Sequence, residues 1–225
     1  MNGAEWEMGR EFLTFFDGWA ETYDQSIAGH DPQYEAVFAN YNGILKEVVQ
    51  HASGNVLEFG TGTGNLSKLL LQAGHEVIGI EPSKAMREVA KGKLPELVLL
   101  DGDFIDFPRL TVPVETIVST YAFHHLTDEE KGVAIKQFAE ILPVDGKVVF
   151  GDTMFITEEV KQSVIDHAID SGFNDLAEDL RREYYPKIDV LKHLFKINNF
   201  DVTFKQMNSF VWVLIAAKKE TGNQV

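Results

Sequence analysis

The feature of this sequence that most constrains its fold is a glycine-rich loop between a short apolar run and an amphipathic helix. The segment reads Val56-Leu57-Glu58-Phe59-Gly60-Thr61-Gly62-Thr63-Gly64-Asn65-Leu66. The apolar run predicts a buried strand. The glycines let the backbone turn sharply and let another molecule approach it without a Cβ in the way. Because ligands of α/β proteins lie beyond the carboxyl ends of the strands, this loop is a candidate binding site.

Short apolar runs and amphipathic helices alternate through the middle of the chain. The predicted strands are Val56 to Phe59, Val77 to Ile80, Leu97 to Leu100, Thr116 to Thr120 and Lys147 to Phe150. The predicted helices between them are Leu66 to Ala73, Ser83 to Lys93 and Asp128 to Leu142. This alternation indicates right-handed βαβ units around a parallel sheet. Two later runs, Phe200 to Lys205 and Phe210 to Ala217, predict a closing hairpin that adds an antiparallel strand.

The 225 residues suit a single α/β domain in three parts. Residues 1–52 are predicted to form a helical cover, residues 53–154 the sheet with its helices, and residues 155–225 a helical insertion with the closing hairpin. The first cover helix carries Phe12, Phe15, Phe16 and Trp19 at helical spacing. A second is expected from Asp31-Pro32 onward, a favourable helix start. Its apolar face would consist of Tyr34, Val37, Phe38, Tyr41, Leu45 and Val48.

The spelling of the glycine loop separates classes of nucleotide-binding protein. A P-loop needs Gly-Lys-Ser/Thr at the start of the helix, where this chain has Gly64-Asn65-Leu66. A dinucleotide fold prefers G-x-G-x-x-G, which this loop does not match. A G-x-G-x-G loop after a strand that contains an acid, here Glu58, suits S-adenosylmethionine (AdoMet), because AdoMet has no pyrophosphate to hold.

Two further acids follow the next two predicted strands. Glu81 comes directly after the second strand, before Pro82, and a carboxylate there can accept hydrogen bonds from both hydroxyls of a ribose. Asp103 follows the third strand, where an adenine amino group could donate to it, with Phe104 beside the ring. Taken alone, each acid is more simply explained as a carboxylate in a surface loop. Together, each just past its own strand, they predict one nucleoside site.

The segment Glu58 to Gly64, with Glu81 and Asp103, resembles the first three motifs of class I AdoMet-dependent methyltransferases across about residues 55–150. The N-terminal run Trp19-Ala20-Glu21-Thr22-Tyr23-Asp24 resembles the W-A-x-x-Y-D element of the quinone-methylase-like branch, and the whole chain is similar to the YrrT group of bacterial methyltransferases. The resemblance implies AdoMet as cofactor. It also implies a Rossmann-like seven-stranded sheet of order 3-2-1-4-5-7-6 with its seventh strand antiparallel.

The resemblance also implies a role for the N-terminal cover, in which Tyr23 helps to hold the methionine end of AdoMet and Arg10 could pair with its carboxylate. Together with the loop and the acids, this gives an expected cofactor-binding set. The set is Tyr23, Glu58, Gly60, Thr61, Gly62, Gly64, Glu81, Pro82, Asp103 and Phe104.

Two adjacent histidines, His124 and His125, follow the fourth strand, and in this fold that segment lies beside the methyl group. Each is a candidate general base or acceptor-positioning residue. The alternative is that an imidazole bonds a backbone carbonyl or caps the helix after Thr127. A metal site made by both histidines and Asp128 has suitable ligand types, but its spacing matches no helical metal motif, so no metal is expected.

Composition limits the partners and the compartment. The formal net charge is −15, which disfavours a phosphate backbone and an anionic membrane surface. The chain has no cysteine, so disulfides, cysteine-based zinc sites and thiol catalysis are excluded, which fits a reducing cytoplasm. Met1 to Arg10 contains no apolar run typical of a secretory signal, and Phe210 to Ala217 is too short to span a bilayer. We therefore expect a cytoplasmic protein.

These patterns favour an AdoMet-dependent methyltransferase that acts on a small molecule. A noncatalytic AdoMet or nucleoside sensor on the same fold would carry the same loop and acids, so that alternative stays open. An NAD-dependent oxidoreductase shares the fold but is disfavoured by the loop. Oxygen, nitrogen, sulfur and carbon all remain candidates for the atom that accepts the methyl group.

Overall fold

The computed structural model describes Ala20, residues 23–25, Ile27 and residues 31–220. A seven-stranded sheet in the order β3-β2-β1-β4-β5-β7-β6 forms its centre. The strands are β1 Val56–Phe59, β2 Val77–Ile80, β3 Val98–Leu100, β4 Thr116–Thr120, β5 Lys147–Thr153, β6 Phe200–Gln206 and β7 Val211–Lys218. Neighbours pair in parallel, except that β7 runs antiparallel to β5 and β6. The predicted strand order and orientation are confirmed.

Helices connect the strands and cover the sheet. Their bounds are α1 Glu35–Phe38, α2 Tyr41–His51, α3 Asn65–Gln72, α4 Lys84–Lys93, α5 Asp128–Ile141, α6 Glu158–Asp170, α7 Asn174–Arg182 and α8 Ile188–Ile197. A short 3₁₀ turn, Phe123–His125, follows β4, and one helical turn, Tyr23–Gln25, precedes α1. As predicted, Ser83 caps α4, since its hydroxyl accepts from the backbone N–H of Met86. No helix in the described part of the chain is long and apolar enough to cross a membrane.

Two apolar clusters form the core, one on each face of the sheet. Successive residues of a strand point to opposite faces, so adjacent strand residues enter different clusters. One cluster joins Val118, Val149 and Val213 to the buried side of α2. The other joins Ile117, Val148, Phe150 and Leu214 to the buried sides of α5 and α8. Strands β4, β5 and β7 are therefore covered on both faces, as expected for the middle of a doubly wound sheet.

The predicted cover helix from Asp31-Pro32 onward is wrong in its bounds. Asp31 caps only a turn, since its carboxylate accepts from the N–H of Gln33 at 2.9 Å, and α1 begins at Glu35. Asn40, at a left-handed φ of 61°, then separates α1 from α2. The first predicted cover helix, with Phe12, Phe15, Phe16 and Trp19, lies outside the described residues, as does Arg10.

The break at Asn40 frees backbone carbonyls that a distant side chain uses. Asn208, in the turn between β6 and β7, donates from Nδ2 to the carbonyls of Val37 and Ala39 at 3.0 and 2.8 Å. Its Oδ1 accepts from the N–H groups of Phe210 and Val211 at 2.8 and 2.6 Å. One amide therefore ties the cover to the closing hairpin.

Strand β5 continues past the predicted end at Phe150 to Thr153. The extension is paired along its length with β7, with Gly151 opposite Val213 and Asp152 opposite Trp212. Because β7 supplies backbone partners there, a stretch that contains glycine and aspartate is held as strand. This places the Asp152 side chain at the carboxyl end of the sheet.

Replacing Asn208 with alanine should lower the free energy of unfolding by about 1–3 kcal/mol, because four backbone groups lose a partner in a partly buried turn. Urea unfolding of wild type, Asn208→Ala and the control Ser209→Ala, an exposed residue of the same turn, measures this. Equal midpoints for the two variants would contradict the anchoring role of Asn208.

Candidate functional site

A cleft lies at the carboxyl ends of β1 to β4. It is lined by Tyr23, Gly60, Gly62, Glu81, Pro82, Met86, Asp103, Phe104, Ile105, Thr120, Tyr121, Ala122, His125 and Leu126. The loops after four neighbouring strands and the helical turn of the cover thus meet in one place. Most of the residues expected from the sequence line this cleft, and Met86 and Ile105 join them.

The glycine loop presents bare backbone to the cleft. Gly60 and Gly62 have φ of 64° and 55°, in the left-handed region that favours glycine. A Cβ on Gly60 would lie 2.5 Å from the Cβ of Ala122, in the loop after β4. The loops after β1 and β4 therefore approach each other only because Gly60 has no side chain. Such a cradle fits a ligand that contacts the main chain, as a nucleoside cofactor does.

Two carboxylates in the cleft are held in fixed orientations by backbone N–H groups. Glu81 accepts from Gly62 at 2.8 Å and from Ser83 at 2.9 Å. Asp103 accepts from Ile105 and Asp106, both at 2.8 Å. The acids that follow the second and third strands therefore line the same cleft.

Three loop-region residues of the expected cofactor-binding set do not line the cleft. Glu58 is buried beneath the loop and accepts from the Ser67 hydroxyl of α3. Thr61 packs its side chain against Gly79 of β2. Gly64 occupies the N-cap of α3, and a Cβ on it would lie 3.1 Å from a methyl of Leu94. These residues set the shape of the loop from behind.

Burial raises the pKa of Glu58 to about 8, with the nearby charge of Glu81 adding to the rise and the hydrogen bonds from Ser67 opposing it. At neutral pH this carboxyl is therefore mostly protonated. Because Glu58 is then mostly neutral, Glu81 rather than Glu58 supplies negative charge to the cleft.

A cluster of polar contacts docks the cover turn on the glycine loop. Asp24 accepts from Thr63 Oγ1 at 2.7 Å, from Asn65 Nδ2 at 3.0 Å and from the ammonium of Lys93. Burial acts to raise the pKa of Asp24, but these donors outweigh it and the pKa is lowered. The preceding residue, Tyr23, lines the cleft. Burial raises the pKa of its hydroxyl well above the ordinary value.

His124 lies behind the cleft lining, paired with Asp152 at the end of β5. Its backbone N–H donates to Asp152 Oδ2 at 3.0 Å and its Nδ1 to Oδ1 at 2.5 Å. The ring of Tyr185 stacks on the imidazole with centroids 4.8 Å apart. Burial acts to lower the pKa of His124, yet the charge and hydrogen bond of Asp152 raise it. A backbone carbonyl is one partner that the sequence suggests for this imidazole. In the structure its partner is the buried carboxylate of Asp152.

His125 lines the cleft and is paired with a different carboxylate. Its Nδ1 lies 2.7 Å from Oε2 of Glu183, which follows α7. Burial and the neighbouring His124 lower the pKa of His125, against the raising effect of Glu183. Burial would raise the pKa of Glu183, but the hydrogen bond and charge of His125, together with His124 and Arg182, outweigh burial, and the pKa is lowered. Neither histidine caps the helix after Thr127, because Thr127 itself is the N-cap and forms a capping box with Glu130.

A buried lysine fastens the segments that carry the histidine and its carboxylate. Lys131 of α5 donates to the carbonyls of Leu126 and Tyr184, the latter at 2.7 Å. Burial lowers its pKa to about 8. The sequence does not single out Lys131 or Glu183, because Lys131 is one of many charged residues in α5 and Glu183 directly follows the charged helix α7. Asp152 could have been found, since an acid near the end of a buried strand is the signal that identified Glu81.

His124, His125 and Glu183 also present nitrogen and oxygen atoms that all lie within 4.8 Å of one another. Such atoms are suitable transition-metal ligands. Asp128, the third ligand considered from the sequence, instead lies 3.7 Å from the ammonium of Lys131. In the structure each imidazole is bonded to its own carboxylate.

Comparisons with known proteins agree with this geometry. Residues 56–146 match a family described as a methyltransferase domain. An uncharacterised methyltransferase of Oceanobacillus iheyensis is 62% identical over 94% of this chain and 99% of its own length. One of Bacillus pumilus is 54% identical over 95% of this chain and 100% of its own length.

Solved structures share the fold at low sequence identity. The magnesium protoporphyrin IX methyltransferase of Synechocystis, with bound S-adenosylhomocysteine (AdoHcy), has a TM-score of 0.72 and 17% identity, covering 93% of this chain and 99% of that one. The fold and the cleft define a Rossmann-like, AdoMet-dependent methyltransferase. More particularly, the chain belongs to the family of bacterial methyltransferases that contains the Oceanobacillus and Bacillus proteins.

The raised pKa of Glu58 predicts a pH dependence of stability. Its folded pKa of about 8 exceeds the unfolded value, so its contribution is complete at low pH and is lost as pH rises through 8. Between the two pKa values this one group lowers the free energy of unfolding by about 1.4 kcal/mol per pH unit. Glu58→Gln should flatten the decline measured by urea unfolding from pH 6 to 8, whereas exposed Glu76→Gln should not. Parallel curves for Glu58→Gln and wild type would refute this.

Proposed function

We propose that this enzyme methylates a small molecule bound beside the loop after β4, with AdoMet held between the glycine loop and the acids after β2 and β3. The observation that carries the proposal is the convergence of Gly60, Gly62, Glu81 and Asp103 on one cleft, which residues of the loop after β4, among them His125, also line. When bound, AdoMet supplies an electrophilic methyl group.

Each part of AdoMet has a matching group in the proposal. Glu81 accepts from the ribose hydroxyls, and Asp103 accepts from the adenine amino group. Phe104 and Pro82 contact the adenine ring. The bare backbone at Gly60 and Gly62, together with Tyr23, receives the methionine end. Glu58, Thr61 and Gly64 act indirectly, by fixing the loop.

Three observations support a small-molecule acceptor. Among the described residues of the cleft lining none is lysine or arginine, so those residues offer no cation to pair with a nucleic-acid phosphate. The net charge of −15 has the same effect at long range. A structural relative, the magnesium protoporphyrin IX methyltransferase, is named for a small-molecule substrate. The proposal places the enzyme in the cytoplasm and within the YrrT group.

The cofactor assignment predicts a loss of affinity in Glu81→Gln. A neutral amide is a weaker acceptor than a carboxylate and could turn its donors toward the N–H groups of Gly62 and Ser83. We expect AdoHcy to bind at least 10-fold more weakly, as a lost hydrogen bond to a charged group costs about 1.5–3 kcal/mol. Titration calorimetry of Glu81→Gln, wild type and the exposed control Glu88→Gln measures this. Unchanged affinity in Glu81→Gln would remove the ribose assignment.

The acceptor is tested by incubating the enzyme and methyl-labelled AdoMet with a cell extract, then separating metabolites, proteins and nucleic acids. We expect label in the metabolite fraction. Label confined to the protein or nucleic-acid fraction would contradict the small-molecule assignment. Binding of AdoHcy without transfer to any fraction would favour the noncatalytic sensor.

A further inference from the structure

We propose that Glu183 orients His125 to accept a proton from the methyl acceptor, and that the adjacent His124 favours the neutral form of His125. The acceptor is then a nucleophile that carries an ionisable proton, namely an amine, a thiol or a hydroxyl group. This inference rests on the proposed function and deepens it by naming the class of substrate and the positioning residues.

The contact between His125 and Glu183 determines which ring nitrogen can act as a base. The lowered pKa of Glu183 keeps its carboxylate ionised, and an ionised carboxylate can only accept a hydrogen bond. Nδ1 of His125, 2.7 Å away, must therefore carry the hydrogen. In the neutral ring the basic lone pair is then on Nε2. Because His125 also lines the cleft, its basic nitrogen belongs to a group that substrate can reach.

Burial and the neighbouring His124 favour the unprotonated form of His125. Asp152 holds His124 through Nδ1 and a backbone N–H, and Tyr185 stacks on its ring. The centroids of the two imidazoles are 4.1 Å apart. Burial lowers the pKa of His125, the charged form of His124 adds to the lowering, and Glu183 and Asp152 oppose it. The net lowering keeps His125 mostly neutral at pH 7.

Charges of both signs surround the two histidines. The pKa values of Asp152 and Glu183 are lowered, so both carboxylates are ionised at neutral pH. Lys131 is a nearby cation, and Arg182 lies 3.7 Å from Glu183. The carboxylate of Glu183 lies 2.7 Å from Nδ1 of His125, where it can stabilise a positive charge on that ring.

The transfer step balances in atoms and charge. The acceptor atom forms a bond to the methyl carbon, while the carbon–sulfur bond breaks and its electron pair stays on sulfur. The proton of the acceptor passes to Nε2 of His125. The positive charge that leaves sulfur reappears on the imidazole, where the carboxylate of Glu183 stabilises it.

Other described groups in the cleft suit this task less well. The pKa values of Tyr23 and Tyr121 are raised by burial, so both hydroxyls stay protonated at neutral pH. Glu81 and Asp103 already accept backbone hydrogen bonds. A nucleophile without a proton, such as a thioether or a tertiary amine, would need no base. The imidazole paired with Glu183 therefore favours a substrate that must lose a proton.

The tautomer can be measured without knowing the acceptor. Nitrogen NMR of the histidine rings in the AdoHcy-bound protein should show His125 as the Nδ1–H tautomer, with a pKa below 6.5. In Glu183→Gln the amide can donate to Nδ1, and we expect a shift toward the Nε2–H tautomer. Exposed Glu178→Gln, from the same helical segment, should leave the tautomer unchanged. A wild-type Nε2–H tautomer, or an unchanged one in Glu183→Gln, would overturn the proposal.

Turnover gives a second readout. Glu183→Gln should slow methyl transfer to the extract metabolites by about 10²-fold, the lower end of general-base effects. Its AdoHcy affinity should stay within about twofold of wild type, whereas a merely structural role would change both. Added imidazole should partly restore transfer in His125→Ala. Unaltered turnover in Glu183→Gln, or label found only in products of thioethers and tertiary amines, would overturn the proposal.

Two controls separate the ways in which the idea can fail. If wild type does not bind AdoHcy, the proposed function itself is wrong. If AdoHcy binds but the tautomer of His125 is unchanged in Glu183→Gln, only the proton-accepting role is wrong. Calorimetry with Zn²⁺ alone should show no stoichiometric binding to wild type. One equivalent of Zn²⁺ bound by wild type and lost in His124→Ala would overturn the proposal, because the ring nitrogens would then be metal ligands.

Discussion

The close approach of two loops at Gly60 is the constraint on which the rest of the site depends. The loop after β1 must turn with a positive φ and pass the loop after β4, where any Cβ on Gly60 would collide with Ala122. The missing side chain lets the glycine loop pass the segment that carries His125, so that both line one cleft. Parallel strands supply the direction, since their carboxyl ends share one edge of the sheet.

Much of this arrangement could be predicted because its signals are local. Buried strands are continuous apolar runs, helices have caps such as Ser83, and parallel strands force the acids that follow them to the same edge. Position along the chain alone predicts that Glu81 and Asp103 lie near each other, and both line the cleft. The resemblance in the glycine loop then supplied the strand order, which the structure confirms.

The parts that could not be predicted depend on contacts between distant residues. The cover helix breaks at Asn40, and the carbonyls near the break bond to Asn208, which lies far along the chain. Glu183 is one acid among many in a charged helical segment, and only the packing of α7 brings it to His125. Glu58 precedes the loop as expected, yet its burial toward α3 is a property of three-dimensional packing.

The docking of Asp24 on Thr63, Asn65 and Lys93 has a consequence for the order of assembly. All three donors belong to the glycine loop or to the helices that flank β2, so the landing place for the cover turn exists only once those elements have folded. Tyr23 therefore completes the cleft only once the glycine loop and these helices are in place. During synthesis this turn emerges before those elements, but it can dock only after they have folded.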